Sequence, residues 1–299
     1  MQSSTFLKRV VTASLVIVAL CALVWVLFAV RRQMPEPAPL ELVIAHNLYK
    51  KEIIGSSVEG RSIEAYVYGN GKTRLVFVGG IHGGYEWNSV LLAYTFVDYL
   101  DAHPKFIPED LTLIVIPDAN PDGVYKVIGK EGRFSIADVI TDKDILASGR
   151  FNAHAVDLNR NFDCKWQPKS TWQAKTVSGG ETAFSEPEAK TIRDFMLKEK
   201  PDAVIFWHSK SNAVYASQCE RGILPTTLDI MNAYSKASGY PAVKSFDSYE
   251  ITGDAEGWLA SIGIPAITVE LQTHETVEWE RNLAGIKALF GYYSKETGN

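Results

Sequence analysis

The chain has 299 residues, 46% of them hydrophobic, and a net charge of −5 at neutral pH. No cluster of lysine or arginine lies in its globular part, which argues against nucleic acid as a partner. Of its three cysteines, only Cys164 and Cys219 lie beyond Val30, so a disulfide between them stays open and the redox compartment is not fixed.

The chain opens on a short basic tail, residues 1–9, with Lys8 and Arg9. Val10 to Val30 is apolar apart from Thr12 and Ser14, and Arg31 and Arg32 close it. As a helix this stretch would span about 32 Å, the thickness of a bilayer's hydrocarbon core. A cleaved signal peptide is the alternative, but no small-x-small cleavage site precedes Arg31. A membrane anchor over residues 10–30 is therefore expected. The basic tail favours the following domain on the extracytoplasmic side, although the flanking charges are nearly balanced. Residues 31–42 carry three prolines between Gln33 and Leu42 and read as a semi-rigid spacer. Residues 43–299 remain, enough for one large α/β domain.

Within that domain, Ser62–Gly69 alternates as a half-buried strand does. Arg74–Gly80, Leu111–Asp118, Ala203–Trp207 and Pro265–Glu270 are short and mostly apolar, the pattern of buried strands. Helices are expected over Trp87–Leu100, Ser185–Lys200, Leu228–Ala237 and Trp279–Tyr293. In the second of these Ser185 is the expected N-cap, with Glu188 closing a capping box. Strands alternating with helices predict a mixed, largely parallel twisted sheet covered on both faces.

In such sheets ligands bind outside the carboxyl ends of the strands. His82 follows the second strand in the run GGIHGGYEWNS, His208 follows the AVIFW strand, and Glu270 ends the last strand. A single histidine at a strand end is most often structural, and Glu86 by itself only complements a helix N-terminus. Glu270 is different, because a carboxylate ending a buried strand must be paired or functional. The loop RFNAHAVDLNRNFD, Arg150 to Asp163, adds two arginines suited to bidentate grip on a carboxylate.

With the segments IGSSVEGRSI, NPDG, DLNRNF, FWHS and ITVEL in this order, the chain resembles the zinc carboxypeptidase family. That resemblance implies one zinc ion held by His82, Glu86 and His208, with an open position for water. It implies Glu270 as the catalytic glutamate and Arg150 as the group stabilising the oxyanion. Asn159 and Arg160 match the pair that grips the free C-terminal carboxylate of a peptide substrate, and Tyr249 matches the substrate-capping tyrosine.

Two departures stand out. Three residues, Gly83 to Tyr85, separate His82 from Glu86 where the family commonly has two, and the glycines can absorb the extra residue by adopting positive φ. Glu256 falls where the family sets its side-chain preference. It would favour a cationic residue there, unless the side chain is turned away and paired internally.

The expected activity is that of a membrane-anchored zinc metallocarboxypeptidase cleaving C-terminal peptide bonds of peptides or of cell-wall peptide stems. The alternatives are a catalytically impaired module that binds peptide C-termini and a related zinc amidohydrolase. No G-x-S-x-G or H-E-x-x-H motif supports serine-hydrolase or thermolysin-like chemistry. His46, His103, His154 and His274 receive no role and are expected at the surface or behind the site.

Overall fold

In this computed structural model the described residues are 49–296, together with Trp25. Apart from Trp25, the expected anchor and the spacer lie outside them. Among the described residues no helix is long and apolar enough to cross a membrane.

The elements in chain order are β1 (Tyr49–Ser56), β2 (Ser62–Gly69), β3 (Thr73–Val78), α1 (Trp87–Ala102), β4 (Leu111–Ile116), α2 (Pro121–Ile128), α3 (Lys143–Ser148), β5 (Lys169–Trp172), β6 (Lys175–Ser178), α4 (Pro187–Glu199), β7 (Ala203–Ser209), β8 (Ala213–Ala216), α5 (Pro225–Ser238), β9 (Ala242–Val243), α6 (Ala255–Ser261), β10 (Ala266–Leu271) and α7 (Trp279–Glu296). Eight strands form one sheet in the order β1-β2-β4-β3-β7-β10-β8-β9, and β5-β6 is a separate hairpin. The centre, β4-β3-β7-β10, is parallel. β1, β2 and β8 join it antiparallel. The mixed, largely parallel sheet read from the sequence is thus the sheet observed.

Its strands are apolar on both sides because both faces are covered. On one face Leu75, Phe77, Leu113, Val115, Ile205 and Trp207 pack with residues of α1, α5 and α7. There Phe77 stacks on Trp207 at 5.3 Å and meets Phe96 edge-on at 5.1 Å. Burial of each such ring contributes about 1.5–3 kcal/mol. On the other face Val76, Val78, Ile114, Val204, Phe206 and Ala266 pack with residues of α4 and α6.

One expected helix start is corrected. The helix predicted from Ser185 begins at Pro187 with Glu186 at the cap, and no side chain caps it. Ser185 Oγ instead donates to Glu186 Oε1 at 2.7 Å, and Glu188 accepts from Val58 N at 3.1 Å and Asn152 Nδ2 at 3.2 Å. Those distant partners win because Glu188 is fully buried between the helix and the loops beside it.

Candidate metal centre

Strand periodicity sets the first part of the site. Alternate residues of a strand share a face, so His208 projects to the same side as Val204 and Phe206. On the neighbouring strand Thr268 and Glu270 share the side of Ala266, and Glu270 lies level with His208 in the parallel register. That side is the one α6 covers. Here Asp254 caps the helix by accepting from Gly257 N at 2.7 Å, and Glu256 in its first turn reaches β7 and β10.

The second part comes from the turn after β3. Gly83–Glu86 forms a single 3-10 turn whose first residue has φ +47°. A Cβ on Gly83 would lie 2.5 Å from Gly149 O and 2.9 Å from Gly123 Cα, and one on Gly84 would lie 2.5 Å from Val127 Cγ2. Only glycine permits this approach to α2 and to the end of α3. The turn absorbs the extra residue, as the sequence suggested, and brings Glu86 back beside His82.

The donor atoms of His82, Glu86 and His208 all lie within 4.8 Å of one another, and all three residues are buried. His208 Nδ1 is 3.1 Å from Glu86 Oε2, which also accepts from Ser209 N at 3.1 Å. Burial, reinforced by Arg150, pushes His82 down to about 4, so its imidazole is neutral at physiological pH. Burial alone would raise Glu86; His82, His208 and Arg150 outweigh it and hold the carboxyl at about 2. His82 is thus neutral and Glu86 ionised, as a divalent metal requires. Burial alone would lower His208, but the Glu86 and Glu256 carboxylates outweigh it, so a metal would displace a proton from that ring. Two histidines and one glutamate are a zinc donor set that leaves a position open.

Around these donors lies a cavity of about 570 Å³, lined among others by Arg150, Asn159, Arg160, Tyr249, Glu256 and Glu270. Every site residue expected from the sequence therefore meets in one place. Arg150 Nε donates to Asp157 Oδ2 at 2.8 Å, Arg150 Nη1 lies 3.8 Å from Glu86 Oε1, and the guanidinium sits 4.6 Å over Trp172. Arg160 is buried and donates to Thr171 O from Nε at 3.2 Å and Nη2 at 3.1 Å, and to Asn159 O from Nη1 at 2.6 Å. One N–H on each terminal nitrogen remains for a ligand. Asn159 Oδ1 accepts from Ala255 N at 2.8 Å, tying this loop to α6. Burial, then the nearby Glu86 charge, pushes Glu270 up to about 7; its Oε2 accepts from Ser211 N at 3.2 Å. Tyr249 stands on Phe246 edge-on at 4.8 Å.

Glu256 does not project as a free acid. His208 Nε2 donates to its Oε1 at 2.9 Å, and Thr268 Oγ1 donates to the same oxygen at 3.1 Å. This is the internally paired arrangement of the two the sequence allowed.

Several contributors were not read from the sequence. Asp157 carries His82 Nδ1 at 3.4 Å as well as Arg150; its place in DLNRNF was the signal available. Tyr85, the extra residue of the metal turn, meets Trp172 at 5.0 Å and His274 at 4.7 Å, and all three line the cavity. Cys164 and Cys219 form a disulfide, Cα to Cα 6.0 Å, and both line the cavity too. His154 is a partner of Glu186 at 2.8 Å, away from the cavity lining.

An α/β sheet with two histidines, a glutamate and a further carboxylate at its strand ends defines a metallohydrolase centre. Residues 44–284 match the zinc carboxypeptidase family, and the chain belongs to it. The family is zinc-dependent, and His82, Glu86 and His208 are grouped so that they could hold a metal ion. The chain spans less than two thirds of the length of the curated relatives it matches. It is 26% identical over 238 residues to gamma-D-glutamyl-L-diamino acid endopeptidase 1 of Lysinibacillus sphaericus, covering 73% of this chain and 59% of that protein. The fold is similar to that of thrombin activatable fibrinolysis inhibitor, with a TM-score of 0.67 at 20% identity, covering 83% of this chain and 70% of that one. It is also similar to murein-tripeptide amidase MpaA from Escherichia coli O157, with a TM-score of 0.57 at 20% identity, covering 80% of this chain and 91% of that one.

Proposed function

We propose that the chain is a membrane-anchored zinc metallocarboxypeptidase that cleaves the C-terminal peptide bond of peptides, with cell-wall peptide stems as the substrate class. One observation carries this reading: the zinc donors, Glu270, Arg150 and the free edge of Arg160 line a single cavity. His82, Glu86 and His208 would hold a zinc ion, which would supply Lewis acidity and lower the pKa of a water at its open position. Glu270, raised to about 7, is matched to taking a proton from an attacking water and returning it to the leaving amine. Arg150 offers its guanidinium to the oxygen that gains charge, and Asp157 and Trp172 fix its direction. Arg160 grips the terminal carboxylate with its two remaining N–H groups. Tyr249 closes over the bound residue.

The cell-wall assignment is supported by the relative whose name is gamma-D-glutamyl-L-diamino acid endopeptidase. The extracytoplasmic placement is supported by the apolar stretch over residues 10–30 and by the Cys164–Cys219 disulfide, since such bonds persist in oxidising compartments. The reading as an impaired binding module drew on the longer His82–Glu86 spacing, and the 3-10 turn that brings Glu86 beside His82 supports the enzyme reading over it.

The test uses the full chain in detergent, with zinc or with a chelator. Its substrates are peptides with free or amidated C-termini and a γ-glutamyl-diamino acid stem peptide, and mass spectrometry reads the products. Chelator-sensitive loss of one residue, from free C-termini only, is the expected result. Cleavage of amidated peptides at the same rate would remove Arg160's role, and no cleavage of any substrate by zinc-loaded protein would overturn the reading.

A further inference from the structure

We infer that Glu256 is a positioning residue, whose carboxylate holds His208 by Nε2 and so commits Nδ1 to the metal. The inference rests on the zinc-peptidase reading above and gives Glu256 a role other than selecting the substrate side chain.

The geometry brackets the His208 ring. Its Nδ1 faces Glu86 Oε2 at 3.1 Å, the side where the donors converge, while Nε2 faces Glu256 Oε1 at 2.9 Å. Both side chains are almost fully buried, Glu256 at 3% and His208 at 2% exposed. Thr268, on the strand beside His208, donates to the same Oε1 and fixes the carboxylate from the other side. One oxygen thus accepts two bonds from two neighbouring strands, which sets its direction before any ligand arrives.

The other metal histidine also faces a carboxylate, although no hydrogen bond joins them. His82 has Asp157 Oδ1 3.4 Å from its Nδ1, and Asp157 is fully buried. Each histidine is therefore backed by a carboxylate, from the arginine-rich loop in one case and from α6 in the other. A carboxylate behind a ligating imidazole fixes the tautomer and ring orientation and raises the basicity of the nitrogen on the metal. An acid kept for a substrate cation would leave its oxygens open to the cavity. Oε1 of Glu256 is engaged twice, and only Oε2 has no partner. That free oxygen is what the substrate-reading alternative would use, so the two roles make opposite predictions.

The experiment compares the full-length wild type with Glu256→Gln and Thr268→Val, measuring zinc dissociation constants by competition with a chromogenic chelator. Glu256→Gln replaces the accepting carboxylate by a neutral amide and is expected to weaken zinc binding about 10–100-fold. The KM ranking of peptides ending in lysine, leucine or alanine is expected to stay unchanged. Thr268→Val removes only the bond that aims the carboxylate and is expected to weaken zinc several-fold, which keeps the test decisive should Glu256→Gln fail to fold. Zinc affinity within twofold of wild type in both variants would overturn the inference, and a loss of preference for C-terminal lysine would then assign Glu256 to the substrate. A wild-type chain without zinc affinity would overturn the zinc reading itself, so the two failures are distinguishable.

Discussion

Glu270 shares its surroundings with Glu86, and the two carboxylates are driven in opposite directions. Glu86 is held at about 2 by His82, His208 and Arg150, whereas burial and the Glu86 charge push Glu270 up to about 7. Under the proposed function, such separation suits Glu86 to a metal ligand and Glu270 to a proton carrier. Glu270→Gln is expected to lower kcat by about 10²–10⁴-fold while zinc content stays stoichiometric; loss of zinc would instead make Glu270 part of the donor set. The same substitution has a pH signature in the metal-free protein. A carboxyl whose folded pKa is raised binds more protons folded than unfolded between about 4.5 and 7, so stability falls as pH rises through that window. Removing the carboxyl removes the cost. Metal-free Glu270→Gln is therefore expected to be more stable than metal-free wild type at pH 8, by up to about 3 kcal/mol, and equal to it near pH 4. Denaturant titrations at the two pH values check this, and equal stability at both would remove burial as the cause.

At the scale of elements, the metal turn depends on glycine more than on its ligands' neighbours. Gly83→Ala would place a methyl group against Gly149 O in a left-handed backbone. It is expected to cost about 2 kcal/mol or more and to reduce zinc affinity, read by denaturant midpoint and metal titration; unchanged values would mean the turn relaxes freely. The elements also differ in how legible they were. Ser62–Gly69 was read without a boundary error, and β4 and β7 nearly so, because alternation or an unbroken apolar run is a local signal. β8, β9 and the β5-β6 hairpin have two to four residues per strand, too short for any period to emerge. Ser185 had the right spacing for a capping box, but tertiary partners of Glu188 took precedence. His82, His208 and Glu270 were legible through their placement at strand ends, whereas the roles of Glu86, Arg150, Asn159, Arg160 and Tyr249 were legible only through the resemblance to the zinc carboxypeptidase family. The direction of Glu256 was not, because it depends on α6 lying against the His208 face of the sheet.

For the whole domain, the disulfide joins the loop after DLNRNF to the segment after β8 across 55 residues of sequence. Cross-linking a loop of that size stabilises by about 4 kcal/mol in the chain-entropy view. The double substitution Cys164→Ser, Cys219→Ser is expected to lose an amount of that order, and reductant should do the same to the wild type. A loss below about 1 kcal/mol in chemical denaturation would show that the bond adds little beyond the surrounding packing. Both cysteines line the cavity, so KM is expected to rise more than kcat falls in the double variant.

The extra residue between His82 and Glu86 does more than lengthen a motif. It places Tyr85 on the cavity wall, between Trp172 and His274, from within the same turn that presents two donors. Wall and metal are therefore inherited together. Exchanging the side chain at position 85 offers a lineage a way to retune substrate fit without touching the donors, whereas deleting the residue would remove an aromatic from the wall and shift Glu86 in one event. Length in this turn sets where Glu86 falls, and side-chain identity at its third position sets the wall.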